Sequence, residues 1–322
     1  MRSPIALPSF KWFIVLILGW ATPPVWGESE STLRHNLAWQ IGLEHVGFSP
    51  GLIDGRIGPK TRLATRELQR VHGLKVTGEL DEATKAALEF SPAEVIGRYT
   101  VRQADLDEIG PVPKSWIARS KLKRLGHESL DWVIAERFHC TRGLLNRLNP
   151  GMNIKALKPG DKLNVPKVLD ASSPPRAKRL EVNLGEKVIR VIDDQNRLVA
   201  LFHCSIAAER AKLPDRDARV VAIAPDPTYA FKPSMWPEVT EKIDRTLIIP
   251  PGPRNPVGRC WISLSLPGYG MHGTPNPELI GKTGSHGCFR LANWDALRLA
   301  EMVRPGTPIK FLGHDDAQVA SR

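Results

Sequence analysis

Met271-His272-Gly273-Thr274 and, beyond a Pro/Gly-rich loop, Ser285-His286-Gly287-Cys288-Phe289-Arg290-Leu291 form the stretch around which the chain is organised. Two histidines, a small-residue turn and a cysteine are what a thiolate nucleophile needs as base and backbone anion site. Cys288 is read as the nucleophile. Gly287 accepts backbone conformations that other residues resist, so His286, Gly287 and Cys288 can present their N–H groups on one side as an oxyanion hole. His272 ends a strand-like run and can return beside Cys288 across one loop to take the thiol proton. His286 is the competing base, but two positions before the cysteine it packs more easily than it reaches sulfur. Zinc would use His272, His286 and Cys288 as well, yet no fourth ligand is evident nearby, and no metal or other cofactor is expected.

Working outward, the flanking sequence has strand period. Leu180, Val182 and Leu184 alternate, Val188-Ile189-Arg190-Val191-Ile192 follows, and a turn at Asp193-Asp194-Gln195-Asn196 leads to Leu198-Val199-Ala200-Leu201-Phe202. Further apolar runs at 220–223, 246–249 and 260–264 are separated by Pro/Gly segments, as a mostly-β sandwich over residues 178–313 requires. One helix follows the nucleophile, with Asn293 as N-cap and Ala296, Leu299, Ala300 and Val303 on one face.

Three further segments precede this one. Residues 1–27 read as a signal peptide: Arg2 and Lys11 precede an apolar run of about ten residues, short of the ~20 that span a bilayer, and Val25-Trp26-Gly27 offers a cleavage site. An exported, periplasmic or cell-wall protein with no stable membrane span after cleavage is the expectation. Residues 31–92 read as a small all-α unit of three helices, with Leu33, Leu37 and Ile41 on one, Gly58-Pro59 opening the second and Asp81 capping the third. Residues 98–168 read as a small α+β unit in the order strand, helix, helix, strand, and Ser172-Ser173-Pro174-Pro175 falls in a linker over 169–177.

The formal charge of +11 suits an anionic partner such as a cell-wall polymer. That charge is spread, with no basic block interleaved with aromatics, so nucleic acid is not expected. Four cysteines in so long a chain are no disulfide scaffold, and Cys140, Cys204 and Cys260 are read as buried thiols.

Three resemblances add to this reading. His272-Gly273-Thr274 through Gly281 to Ser285-His286-Gly287-Cys288-Phe289-Arg290-Leu291, with Asn293 and Asp295, resembles the catalytic motif of the L,D-transpeptidases. The likeness extends through Asn255-Pro256-Val257-Gly258 and Trp261-Ile262 to about Phe311. It implies a β-sandwich in which Cys288 attacks a stem-tetrapeptide carbonyl, releases terminal D-Ala and passes the acyl group to an amine, or to water as a carboxypeptidase. His272 matches that family's base, the Gly273 carbonyl is placed to orient it, and Arg290 holds a substrate carboxylate or braces the loop. The chain departs from the family at Asp217-Ala218-Arg219-Val220-Val221, where a Thr-Pro-Thr-Gly-like segment is usual, and in a Pro-rich insertion from Tyr229 to Pro253.

Gly47-Phe48, Pro50-Gly51, Ile53-Asp54-Gly55, Gly58-Pro59, Gly73-Leu74 and Thr77-Gly78 together resemble the peptidoglycan-binding domain of secreted wall enzymes. Leu148-Asn149-Pro150 and Leu157 to Pro166 resemble a lysin motif interrupted by an insertion of about twenty residues. Peptidoglycan stem peptides and glycan are therefore the expected partners, and a non-catalytic wall-binding protein is the contrasting class.

Overall fold

The computed structural model describes residues 29–89, 91–168, 174–236 and 239–313. The signal-peptide reading and most of the linker lie outside these residues. Among them no helix is long and apolar enough to cross a membrane.

The N-terminal unit holds three helices. α1 (Glu30–His45) opens on Ser29, whose hydroxyl accepts from the Thr32 amide. α2 (Pro59–Val71) starts with Pro, which has no N–H to leave unsatisfied, and α3 (Glu82–Ala87) is capped by Asp81 through the Thr84 amide. Asp54 and Gly55 serve the turn between α1 and α2: the buried Gln40 side chain donates to Asp54 and accepts from the Gly55 amide.

In the middle unit β1 (Ile96–Thr100) pairs antiparallel with a strand more than sixty residues on. Between them a Pro-containing charged stretch winds into α4 (Gln103–Asp107) and α5 (Trp116–Ser120) because Asp105 and Ser115 supply caps. The two expected helices follow as α6 (Leu130–Arg137) and α7 (Arg142–Leu148), and β2 (Lys162–Pro166) closes the pair.

The C-terminal domain contributes β3 (Arg179–Asn183), β4 (Val188–Ile192), β5 (Leu198–His203), β6 (Ala218–Pro225), β7 (Tyr229–Phe231), β8 (Leu247–Ile249), β9 (Cys260–Leu264), β10 (Gly270–His272), β11 (Phe289–Arg290), α8 (Asn293–Met302) and β12 (Pro308–Leu312). Eight of these strands form one continuous curled sheet in the order β11-β10-β9-β6-β12-β3-β4-β5. Its two halves enclose a shared core that includes Leu180, Phe202, Ile262, Met271, Phe289 and Leu299. The chain after β5 returns to the opposite edge, where the Ser205 and Arg290 amides donate to each other's carbonyls at 2.9 and 3.0 Å. The sandwich is thus a sheet curled until its ends meet, and that meeting point is the strand behind Cys288.

The units are welded together. α1 is apolar on two faces: Leu33, Leu37, Ala38 and Ile41 enter the core of the middle unit, whereas Trp39 and Leu43 enter a second core with α2, Val188 and Leu201. Its follow-on loop pairs with both neighbours, Ser49 N–H donating to Leu201 O and Ile53 N–H to His139 O, each at 2.9 Å. The nearly buried Glu67 on α2 receives both Nε and Nη2 of Arg190 from β4, at 3.1 and 3.0 Å.

Phe48 fills the second of these cores, so Phe48→Ala should cost about 3–5 kcal/mol. Chemical denaturation followed by tryptophan fluorescence and by circular dichroism should show one coincident, shifted transition. Two separated transitions would show that the N-terminal unit and the catalytic domain unfold independently.

Candidate active site

β10 and β11 run parallel, with Met271 opposite Phe289 and His272 opposite Arg290. Extending that register by one residue sets Gly270 beside Cys288. Because paired residues of adjacent strands share a face and alternate residues along a strand share it too, Cys288, His272 and Arg290 project on the same side. The Leu291 amide donates to His272 O at 2.8 Å and fixes the register.

His272 is 6% exposed, and its Nδ1–H donates to Gly273 O at 2.6 Å, which leaves Nε2 as the acceptor nitrogen. Burial outweighs that bond and holds its pKa at about 4, so the ring is neutral at neutral pH. Trp261, opposite His272 on β9, stacks on the ring at 5.4 Å between centroids. The indole lies across Gly270, where an added Cβ would sit 2.5 Å from it. Gly270 therefore keeps room for the platform beneath the histidine. Gly273 carries no side chain because Asn293 Oδ1 occupies that space, 2.2 Å from where a Cβ would stand.

Cys288 is half-buried and its thiol donates to Gly268 O at 3.6 Å. Burial raises its pKa, while a bond from Gly270 and the charge of Arg290 pull the other way. The other three cysteines are free and buried, as expected. Burial pushes Cys204 up to about 12 and Cys260 to about 11, which makes both poor nucleophiles beside the accessible Cys288.

The turn before Cys288 is tied down by Ser285, whose hydroxyl donates to Cys288 O at 2.5 Å and accepts from the Gly287 amide at 3.1 Å. Gly287 has φ of +153°, a conformation that other residues rarely adopt. Its amide is engaged by Ser285, which corrects the expectation that all three amides of the turn face one anion. Arg290 braces the loop: its Nη2 donates to the carbonyls of Thr283, at 3.1 Å, and Gly284. Of its two expected roles the geometry displays the brace.

His286 is exposed and lies against Trp236, 4.8 Å between ring centroids. Trp236 Nε1–H in turn donates to the Tyr229 hydroxyl at 3.0 Å. Tyr229 stands near enough to Cys288 for the thiolate charge to add to the burial that raises the tyrosine pKa. Both aromatics belong to the Pro-rich insertion, and sequence reasoning did not single them out for the site. Aromatic and aliphatic residues spaced through the insertion, enough to pack a core of its own, were the available signal.

The insertion has its own small core. Phe231, Leu247 and Ile249 from the β7–β8 hairpin close over Leu125, and Trp116 of α5 stacks on Phe231 at 4.0 Å. Glu241 accepts from Ser115 Oγ at 2.6 Å and from the Trp116 amide at 2.7 Å, capping α5. The insertion of the middle unit and that of the catalytic domain thus fold on each other beside Cys288.

Asn293 is not the N-cap of α8; Ala292 is, without a side-chain bond. The Asn293 side chain is drawn off to other partners, accepting from the Arg259 amide at 3.1 Å and donating to Glu136 at 3.0 Å and to Pro253 O at 3.3 Å. It ties α8 to the chain around Gly258 and Gly273 and to α6.

Comparison with known proteins places these features in a family. Residues 177–310 match the family described as "L,D-transpeptidase catalytic domain", and residues 37–88 match "Putative peptidoglycan binding domain". The chain is 29% identical over 184 residues, 57% of its length and 93% of the relative's, to the "Putative L,D-transpeptidase YkuD" of Bacillus licheniformis. It is 49% identical over 57 residues, 18% of its length and 35% of the relative's, to the Bacillus subtilis protein of the same name. A solved L,D-transpeptidase from Xylanimonas cellulosilytica aligns at 17% identity with a TM-score of 0.35, over 85% of this chain and 91% of that one. Neither family match reaches residues 98–168. Residues 177–310 thus match an L,D-transpeptidase catalytic domain, and residues 37–88, ahead of it, a peptidoglycan-binding domain.

Proposed function

We propose that the protein is an exported peptidoglycan L,D-transpeptidase, an acyltransferase that works through a Cys288 thioester. The observation that carries this reading is His272, neutral, with Nδ1–H held by Gly273 O and Nε2 left as acceptor on the face that Cys288 shares. In the acylation step His272 Nε2 takes the thiol proton as sulfur attacks the carbonyl that precedes the terminal D-Ala of a stem tetrapeptide. Charge on the carbonyl oxygen is met by main-chain N–H of His286 and Cys288, the amides of Ser285 and Gly287 being bonded within the protein. The tetrahedral intermediate collapses to a thioester, and His272 returns the proton to the departing D-Ala amine. An acceptor amine then attacks the thioester, loses its proton to His272 and restores the thiol. Ser285, Gly287 and Arg290 hold the loop during these steps, and His286 with Trp236 and Tyr229 edges the entrance. The peptidoglycan-binding domain, the basic charge and the wall substrate all point to a periplasmic or cell-wall site of action.

Incubation with tetrapeptide muropeptides, read by mass, tests the reading. A cross-linked dimer is expected; a tripeptide product would mean water is the acceptor, and no change would mean a non-catalytic wall protein. Cys288→Ala should abolish turnover. His272→Gln should abolish acylation by a carbapenem, whereas His286→Gln should only weaken it, and equal residual acylation in the two would overturn the choice of base.

Protonation of the pair gives a further test. With His272 at about 4 and Cys288 above the ordinary thiol value of 9.0, the resting pair at neutral pH is imidazole and thiol, not an ion pair. Alkylation of Cys288 by iodoacetamide should therefore climb steadily from pH 6 to pH 9. A plateau already reached below pH 7 would mean a resting thiolate–imidazolium pair.

A further inference from the structure

A cavity of about 260 Å³ lies between the middle unit and the catalytic domain, away from the nucleophile. Trp132 and Arg142 wall it on one side, and Arg254, Pro275 and Trp294 on the other; neither Cys288 nor His272 lines it. Three buried polar atoms that find no partner in the protein belong to residues of this lining: His127 Nδ1, Arg254 Nε and Trp294 Nε1. A buried polar atom without a partner carries its full desolvation penalty, and three such atoms around one small cavity mark a place prepared for a ligand.

The chemistry of the lining selects the ligand. Guanidinium and indole nitrogens only donate, so the missing partner must offer acceptors. Two cations are held ready: the guanidinium carbons of Arg142 and Arg254 lie 4.0 and 4.9 Å from the Trp132 ring centroid. Asp131 anchors Arg142 at 3.2 Å and Glu128 anchors Arg254 at 2.6 Å. Glu136 and Glu278 also line the cavity and oppose an anion, though burial raises Glu136 to about 7, so it carries about half its charge at neutral pH and the two arginines must outweigh both. The volume falls below the roughly 300–1,000 Å³ of sites for drug-sized ligands, which limits the occupant to about one sugar ring or a short acidic segment.

We propose that this cavity binds a carboxylate-bearing fragment of peptidoglycan, seated between Arg142 and Arg254 with Trp294 Nε1–H as a further donor. The carboxylate is that of the lactyl group of a muramic acid without its stem peptide, or that of the acidic residue in the stem. The chemical class rests on the wall-enzyme reading above, whereas the site itself rests on the cavity and its unpartnered donors. Bidentate and charge-assisted bonding makes arginine suited to carboxylates, and the middle unit thereby gains a wall-binding role that needs no lysin motif.

The test uses the full chain bearing Cys288→Ala, so that binding is read without turnover and fails or succeeds independently of transpeptidation. N-acetylmuramic acid, L-Ala-γ-D-Glu and tri-N-acetylchitotriose are titrated separately by calorimetry, with the Trp294 indole N–H followed by NMR. At least one of the two acids should bind saturably and shift that resonance, and which one does so identifies the source of the carboxylate. Chitotriose, which has no carboxylate, should leave it unmoved. Adding Arg142→Gln or Trp294→Phe should weaken binding of the acid about tenfold or more while thermal stability is kept, the scale of one charge-assisted hydrogen bond. No saturable binding of either acid at millimolar concentrations would overturn the proposal. So would binding of chitotriose alone, or binding of the acids unaltered in both variants.

Discussion

Two rungs of parallel main-chain pairing, Met271 with Phe289 and His272 with Arg290, set the geometry on which the site depends. Side-chain direction in a strand has a period of two, so a slip of one residue would turn Cys288 or His272 to the core. The register is held from several directions. Leu291 donates to His272 O, Ser205 exchanges hydrogen bonds with Arg290, and Arg290 and Ser285 fasten the loop that would otherwise have freedom to slide. Strands of three and two residues could not hold this on their own. They are positioned because the curled sheet brings its two edges together at this point.

The same economy of short elements explains why the units are not separable modules. α1 gives one face to the middle unit and another to the core shared with β4 and β5, and the loop after it makes main-chain bonds to both. The two insertions, α5 with its flanks and the β7–β8 hairpin, bury Leu125, Phe231, Leu247 and Ile249 together. The result carries Tyr229 and Trp236 to the edge of the cysteine cleft. The middle unit therefore shapes the site by contact, whatever it binds.

Legibility in the sequence followed the range of the interactions. Cys288, His272 and the Ser285-His286-Gly287 turn were readable because their chemistry is written in one short segment. The strand meander and the caps at Asp81 and Pro59 were readable because period and capping are local. Asn293 looked like a cap from its neighbours alone, and its side chain instead serves Arg259, Glu136 and Pro253 at sequence separations of 34 to 157 residues. Gly287 was read correctly as a conformational necessity, but its amide is committed to Ser285, a competition that residue types do not reveal. Tyr229 and Trp236 were invisible because they belong to an insertion whose packing, like that of α5, is set across more than a hundred residues: Trp116 stacks on Phe231 and its amide donates to Glu241.

The central claim is that Cys288 carries the acyl group of a wall peptide. Intact-mass measurement after mixing the full chain with a stem tetrapeptide, followed by digestion and peptide mapping, tests it most directly. The account requires a gain equal to the tetrapeptide less D-Ala, located on the peptide that contains Cys288, lost when an acceptor amine is added and absent from Cys288→Ala. Turnover without any such adduct, or an adduct on another residue, would contradict it.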